Sequence, residues 1–154
     1  MKKYAGIGSR ETPTEILHTM QSLAFKLAKD GWCLRSGGAR GADTAFEHGA
    51  NARVIFEAHH ATSTAIQLAS EFHPAWHKCN EYARKLHGRN SMILLGQNLD
   101  DPVKFVVCWT KDGKPSGGTG LGIRIANHYS IPVRNLYFKE VRDSVISYIN
   151  SERK

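Results

Sequence analysis

The sequence predicts a three-layer α/β sandwich built on a mostly parallel sheet of about five strands. Three observations predict it. Strand-length apolar segments alternate with segments of helical period along the 154 residues. Residues 103–109 form a continuous apolar run of strand length, the pattern of a strand buried on both faces. Two strand-to-helix passages, at 36–43 and 116–122, are rich in glycine.

Residues 3–7 read as the first strand, and Gly8-Ser9-Arg10-Glu11 as a polar turn after it. A helix start follows, with Thr12 as N-cap, Pro13 at the first helical position and Glu15 completing a capping box. Ile16, Leu17, Met20, Leu23, Ala24, Leu27 and Ala28 fall on one helical face, and Gly31 supplies the stop. The second strand, 32–35, runs into Ser36-Gly37-Gly38-Ala39-Arg40-Gly41-Ala42-Asp43. The next helix presents Ala42, Ala45, Phe46, Gly49 and Ala50, mostly small residues that allow close approach to the sheet. A third strand spans 53–57. Residues 61–72 have helical composition, and Trp76, Cys79, Ala83 and Leu86 give a second helical stripe. His87-Gly88-Arg89-Asn90 leads into the apolar Met92-Ile93-Leu94-Leu95. The buried strand at 103–109 is followed by the second glycine cluster, which feeds a helix ending near Tyr129. A strand at 133–138 and a helix marked by Val141, Val145, Ile146 and Ile149 close the chain. This is a Rossmann-like order. It puts the glycine loops and the first polar turn at the carboxyl ends of strands, where open parallel sheets bind ligands.

The length fits one domain, 1–154, able to bury its own core. No apolar run is long enough to span a bilayer, and the amino-terminal residues pass straight into strand-like sequence, so no membrane association and a cytoplasmic location are expected. Cys33, Cys79 and Cys108 are odd in number and scattered, which argues against a disulfide framework and for reduced, mostly buried thiols. The formal net charge of +7 suits an anionic partner, but the basic residues are spread along the chain rather than gathered in a tail.

The glycine loops carry the chemistry. A helix amino terminus offers free backbone N–H groups and partial positive charge, and stabilises a phosphate that can come close. Gly37, Gly38 and Gly41 clear the way for such an approach. Arg40 adds a bidentate donor and Ser36 a hydroxyl. Asp43 lies in the first helical turn, either to accept from a ribose hydroxyl or to cap free N–H groups. Gly117, Gly118, Gly120 and Gly122 repeat the device, with Thr119 as hydroxyl donor. Gly8, Ser9, Arg10, Arg89 and Asn90 are further candidate contributors. Neither loop has the Gly-Lys-Ser/Thr of a P-loop, and Gly6-Ile7-Gly8 is not followed by the rest of the dinucleotide fingerprint. Among the eight histidines, His59-His60 are adjacent and Pro74 interrupts the spacing of His73 and His77. With no HExxH and no paired CxxC, no metal site and no cofactor are expected.

The segment Ser36-Gly37-Gly38-Ala39-Arg40-Gly41-Ala42-Asp43 resembles the S-G-x-A-R-G-x-D segment of DNA-processing protein A, a member of the SLOG superfamily of Rossmann-like nucleotide-binding proteins. The Gly6-x-Gly8-Ser9-Arg10 turn is similar to that group too, and the resemblance runs from about Tyr4 to Leu136. The second half looks more like the Lonely Guy phosphoribohydrolases of the same superfamily. There an Arg-Lys pair precedes a buried strand and P-G-G-x-G-T-x-x-E follows it. Arg89 matches the Arg, Asn90 stands at the Lys, and Gly117-Gly118-Thr119-Gly120 resembles the glycine motif in altered order. The Glu associated with N-glycosidic cleavage falls near Arg124, and a cation cannot replace it as a base. Glu11, Asp43 and Glu57 are the remaining candidates for that role.

The leading expectation is therefore binding of a nucleotide or nucleotide-derived phosphate ligand by a sensor, carrier or sequestering protein. The alternatives are a phosphoribohydrolase acting on a nucleoside 5'-monophosphate, and a single-stranded DNA-binding module. The resemblance also implies a homo-oligomer.

Overall fold

The computed structural model describes residues 2–39 and 41–151. Five strands form one sheet: β1 (Lys2–Gly6), β2 (Trp32–Ser36), β3 (Arg53–Ile55), β4 (Val106–Cys108) and β5 (Val133–Asn135). Their spatial order is β3-β2-β1-β4-β5 and every pairing is parallel. Six helices connect and flank them: α1 (Thr14–Lys29), α2 (Ala42–Gly49), α3 (Ser63–Ser70), α4 (Glu81–Leu95), α5 (Gly117–His128) and α6 (Lys139–Ile149). The chain reaches the edge at β3, then crosses back over the sheet through α3 and α4 to place β4 beside β1. That reversal makes the β1/β4 boundary the switch point of the sheet.

Each face of the sheet owns a core. Tyr4, Leu34, Val107 and Trp109 pack with Ile16, Met20, Leu23, Phe46 and Val145 from α1, α2 and α6. Ala5, Val106 and Cys108 point the other way, onto Ala65, Met92, Leu94, Leu121 and Ile125 from α3, α4 and α5. Successive residues of β4 thus enter opposite cores, which is why its sequence is apolar without alternation. Ladder pairing covers only Val106–Cys108 of the predicted run, where the strand lies between β1 and β5.

Two expectations about helix ends need correction. No capping box opens α1: Pro13 is its N-cap residue and provides no side-chain cap. Thr12 is buried instead, and its hydroxyl donates to the Ser9 carbonyl at 2.5 Å, tying the turn after β1. The stripe Trp76, Cys79, Ala83 and Leu86 is not one helix. A 3-10 turn, Trp76–Lys78, precedes α4, whose start is set by the Asn80 side chain, its Oδ1 accepting from the Ala83 N–H at 2.8 Å. From there α4 runs unbroken through Arg89 and Asn90 to Leu95, so the apolar Met92–Leu95 stretch is a buried helix end. Gly31 follows the last turn of α1 with φ of 87°, the left-handed conformation of a helix stop.

Cys33 and Cys108 are buried and Cys79 is half-buried, all three as free thiols. Among the described residues no helix is long and apolar enough to cross a membrane.

Candidate functional site

The loops that leave the carboxyl ends of β1, β2 and β4 meet α4 around a cleft of about 760 Å³. Its floor is the switch point. Gly8, Ser9, Arg10 and Glu11 come from the β1 loop, Gly37 and Gly38 from the β2 loop, and Thr110 and Lys111 from the β4 loop. Gly8 sits where a Cβ would lie 2.5 Å from the Cβ of Ala42, so glycine here lets α2 approach the first turn.

The β2 loop is braced from inside. Asp43 is 5% exposed, and its carboxylate accepts from the Ala39 N–H at 3.2 Å, with the Gly37 N–H also turned toward it. Glu47 accepts from the Gly38 N–H at 3.0 Å and from the Ser36 hydroxyl. The amides that the sequence assigns to a phosphate are thus held by two carboxylates of α2. Burial pushes the Asp43 carboxyl up to about 6, against the pull of the Ala39 N–H and the nearby Arg89 charge.

Arg89 reaches across from α4. Its Nη1 donates to the carbonyls of Gly37 at 2.7 Å and Phe56 at 3.3 Å, and its Nε donates to the Asn90 side-chain oxygen at 2.8 Å. Burial lowers its pKa from the usual guanidinium value, while Asp43 works in the opposite sense. Arg89 and Asp43 thus stand in one wall, each favouring the other's charged form while burial, the larger effect, works against both. Among the described residues that line the cleft, Arg10 and Lys111 are exposed cations; Lys111 lies 3.9 Å from Glu11 across the switch point.

The amino end of α5 forms the opposite wall. Gly117, Gly118 and Thr119 precede the first intrahelical donor: the Gly120 N–H is the first to bond, to the Ser116 carbonyl at 2.9 Å. The Ser116 side chain does not cap the helix; its hydroxyl donates to Asp112 at 3.3 Å. A Cβ at Gly117 or Gly118 would meet nothing within 4 Å, so these amides border open space.

The cleft brings together Gly8, Ser9, Arg10, Gly37, Gly38, Asp43, Arg89, Asn90, Gly117, Gly118 and Thr119 of the expected set. Three expected residues stand elsewhere. Ser36 is fully buried and spends its hydroxyl on Glu47. Gly41, with φ of 84°, packs where a Cβ would be 3.3 Å from the Ser9 carbonyl. Gly120 is closed off by the Pro115 backbone, 2.5 Å from where its Cβ would be. Arg40 lies outside the described residues. Of the carboxylates, Glu11 and Glu57 line the cleft with Asp43. Arg124 donates to the Pro115 carbonyl at 3.0 Å, holding the loop before α5.

Sequence reasoning missed Tyr82, Thr110 and Lys111. Lys111 was within reach, since it lies two residues past the apolar run at the end of a parallel strand. Nothing local marks Tyr82, an aromatic in a polar stretch that the fold leaves 63% exposed on the cleft-facing part of α4.

The family model described as DNA recombination-mediator protein A matches residues 1–94. The chain belongs to that family. The match covers the β1 turn, the β2 loop and nearly all of α4, and so includes the Arg89–Gly37–Asp43 wall. DNA recombination-mediator protein A is a fitting family for the loop segment from Ser36 to Asp43, whose resemblance the sequence already displayed. A solved structure of DNA processing protein A from Helicobacter pylori, described for a unique single-stranded DNA binding mode, superposes with a TM-score of 0.59 at 17% identity. The likeness covers 87% of this chain and 64% of that one, and at this identity it speaks to the shared fold. No curated protein matches the chain.

Proposed function

We propose that this chain binds single-stranded DNA along the cleft, with a backbone phosphate at the amino end of α5 and a base against Tyr82. The observation that carries the reading is the convergence of three features on one opening: the open amides of Gly117 and Gly118, the exposed cations Arg10 and Lys111, and the exposed ring of Tyr82. Helix amides take the phosphate, side-chain cations add the salt-dependent attraction, and an aromatic ring stacks bases without reading sequence. Family membership and the fold shared with a protein described for single-stranded DNA binding favour DNA as the source of that phosphate. The net charge of +7 is consistent with a polyanion.

Fluorescence anisotropy with a labelled oligodeoxythymidine, over a salt series, tests this. Tyr82→Ala should cost about 1–3 kcal/mol of binding if one base stacks there. Lys111→Ala should weaken binding and reduce the salt slope by about 0.7 for one lost phosphate contact. Binding that is indifferent to both substitutions sinks the proposal.

A second reading, a small nucleotide as sole ligand, is favoured by one observation. The cleft volume of about 760 Å³ suits a small molecule, and Glu11 and Glu57 stand in its wall to accept from sugar or base donors. A mononucleotide that binds tightly where the oligomer does not would select it.

A further inference from the structure

Between the end of α3 and the middle of α4, the chain gathers three side chains that no sequence motif connects. His73 follows α3, Cys79 ends the 3-10 turn, and His87 projects from α4. Each is half-buried, and each offers a ligand atom within 4.8 Å of the others. Cys79 Sγ lies 3.6 Å from His73 Nε2, and the two imidazole rings have centroids 4.5 Å apart. His87 Nδ1 is buried with no hydrogen-bond partner among the described residues. Trp76 covers the group, 6.0 and 6.1 Å from the two rings.

We propose that His73, Cys79 and His87 form a zinc site, with water as the fourth ligand. The donor set of one thiolate and two imidazoles is the kind that zinc takes in preference to harder cations. The Cys79–His73 spacing fits as well: with Zn–S of about 2.3 Å and Zn–N of about 2.0–2.1 Å, a tetrahedron has a sulfur–nitrogen edge of about 3.6 Å, the distance between Cys79 Sγ and His73 Nε2.

Loading the site is a proton exchange without redox change. The Cys79 thiol points at the Ala75 carbonyl, 3.8 Å away, and His73 Nδ1 accepts from the Ala75 N–H at 3.0 Å. His73 thus carries its ring proton on Nε2, toward the sulfur. On binding, the thiol proton leaves to solvent and sulfur donates its pair to zinc. The His73 proton moves to Nδ1, which opens the Ala75 contact and frees Nε2 for the metal. Zinc would then fasten the turn before α4 to the helix itself, two residues from Arg89 in sequence.

The test uses the full chain, stripped with chelator and titrated with zinc, and with cobalt(II) as a spectroscopic stand-in. The expected result is one zinc per chain, a thiolate-to-cobalt charge-transfer band with d–d bands of tetrahedral intensity, and a zinc-induced rise in Tm. Cys79→Ser should abolish the charge-transfer band. Cys79→Ser and His87→Gln should each weaken zinc by more than the roughly 10–100-fold that loss of an outer-shell partner costs. Circular dichroism in chelator checks that both variants fold, and two substitutions keep the result readable if one does not. His59→Gln, which disrupts the separate exposed group Glu57, His59 and His60, should leave the uptake unchanged. No zinc uptake by the wild type, or a charge-transfer band that persists in Cys79→Ser, overturns the proposal.

Discussion

Arg89 and Gly37 fit each other with no room for a side chain at residue 37. Arg89 Nη1 donates to the Gly37 carbonyl at 2.7 Å, and a Cβ on residue 37 would lie 2.6 Å from that same nitrogen. The guanidinium is held by the Phe56 carbonyl as well, so it cannot swing aside without losing bonds.

Gly37→Ala should therefore push Arg89 out of the wall and reshape the cleft. The expected outcome is about tenfold weaker oligonucleotide binding, or about 1.4 kcal/mol, together with a lower Tm. Arg89→Met should share the stability loss, about 2 kcal/mol, because it strands the Gly37 and Phe56 carbonyls. Urea denaturation of both variants checks this; unchanged midpoints would show that the contact carries no stability.

Asp43 makes stability depend on pH in a direction opposite to an ordinary paired carboxylate. Its folded value near 6 lies above the unfolded value of about 3.9, so the native state holds the extra proton between those limits. Its contribution is complete below about pH 4 and is lost as pH rises through about 6, to the order of 2–3 kcal/mol. The stability of wild type relative to Asp43→Asn should fall across that window. A flat difference between the two melting curves would refute it.

The Ser36 and Gly118 positions separate scaffold from surface. Ser36→Ala removes a buried bond to Glu47 and should cost about 1 kcal/mol, or about 3 °C in Tm, with binding affinity preserved. Gly118→Val places atoms in the open space before α5 and should do the reverse, weakening the oligonucleotide several-fold with Tm little changed. Paired melting and anisotropy measurements on the two variants decide it, and equal effects on both readouts would contradict the assignment.

Asp101 does not line the cleft. Its carboxylate accepts from Arg35 Nη2 at 2.6 Å and from Lys3, and the Lys3 bond is the first cause holding it below the usual carboxylate range. Arg35 is 5% exposed, so Asp101→Ala should cost about 1–2 kcal/mol by leaving a buried guanidinium short of an acceptor; the half-exposed carboxylate limits the loss. Because the folded value is depressed, this contribution is present above about pH 4 and fades as pH falls through the lower folded value. Acid titration of the variant should show a shallower loss than that of wild type.

What the sequence determined by itself was periodic or local. The apolar run around Val106, the helical face from Ile16 to Ala28 and the glycine passages after β2 and β4 specify alternating strands and helices, hence a parallel sheet with its loops at one edge. The glycine segment at 36–43 carried the family as well. Tertiary structure decided what each loop group does. Ser36 and Asp43 flank the loop that carries Gly38, yet packing of α2 turns Ser36 into the core toward Glu47 and uses Asp43 to hold the loop. Tyr82 and Lys111, 29 positions apart in the numbering, line one cleft because the crossover from β3 to β4 carries α4 over the sheet. His73, Cys79 and His87 converge for the same kind of reason: a 3-10 turn and the cap at Asn80 fold the segment back on itself. Periodicity reports which face of an element is buried; it holds no information on which faces of distant elements the chain will bring together.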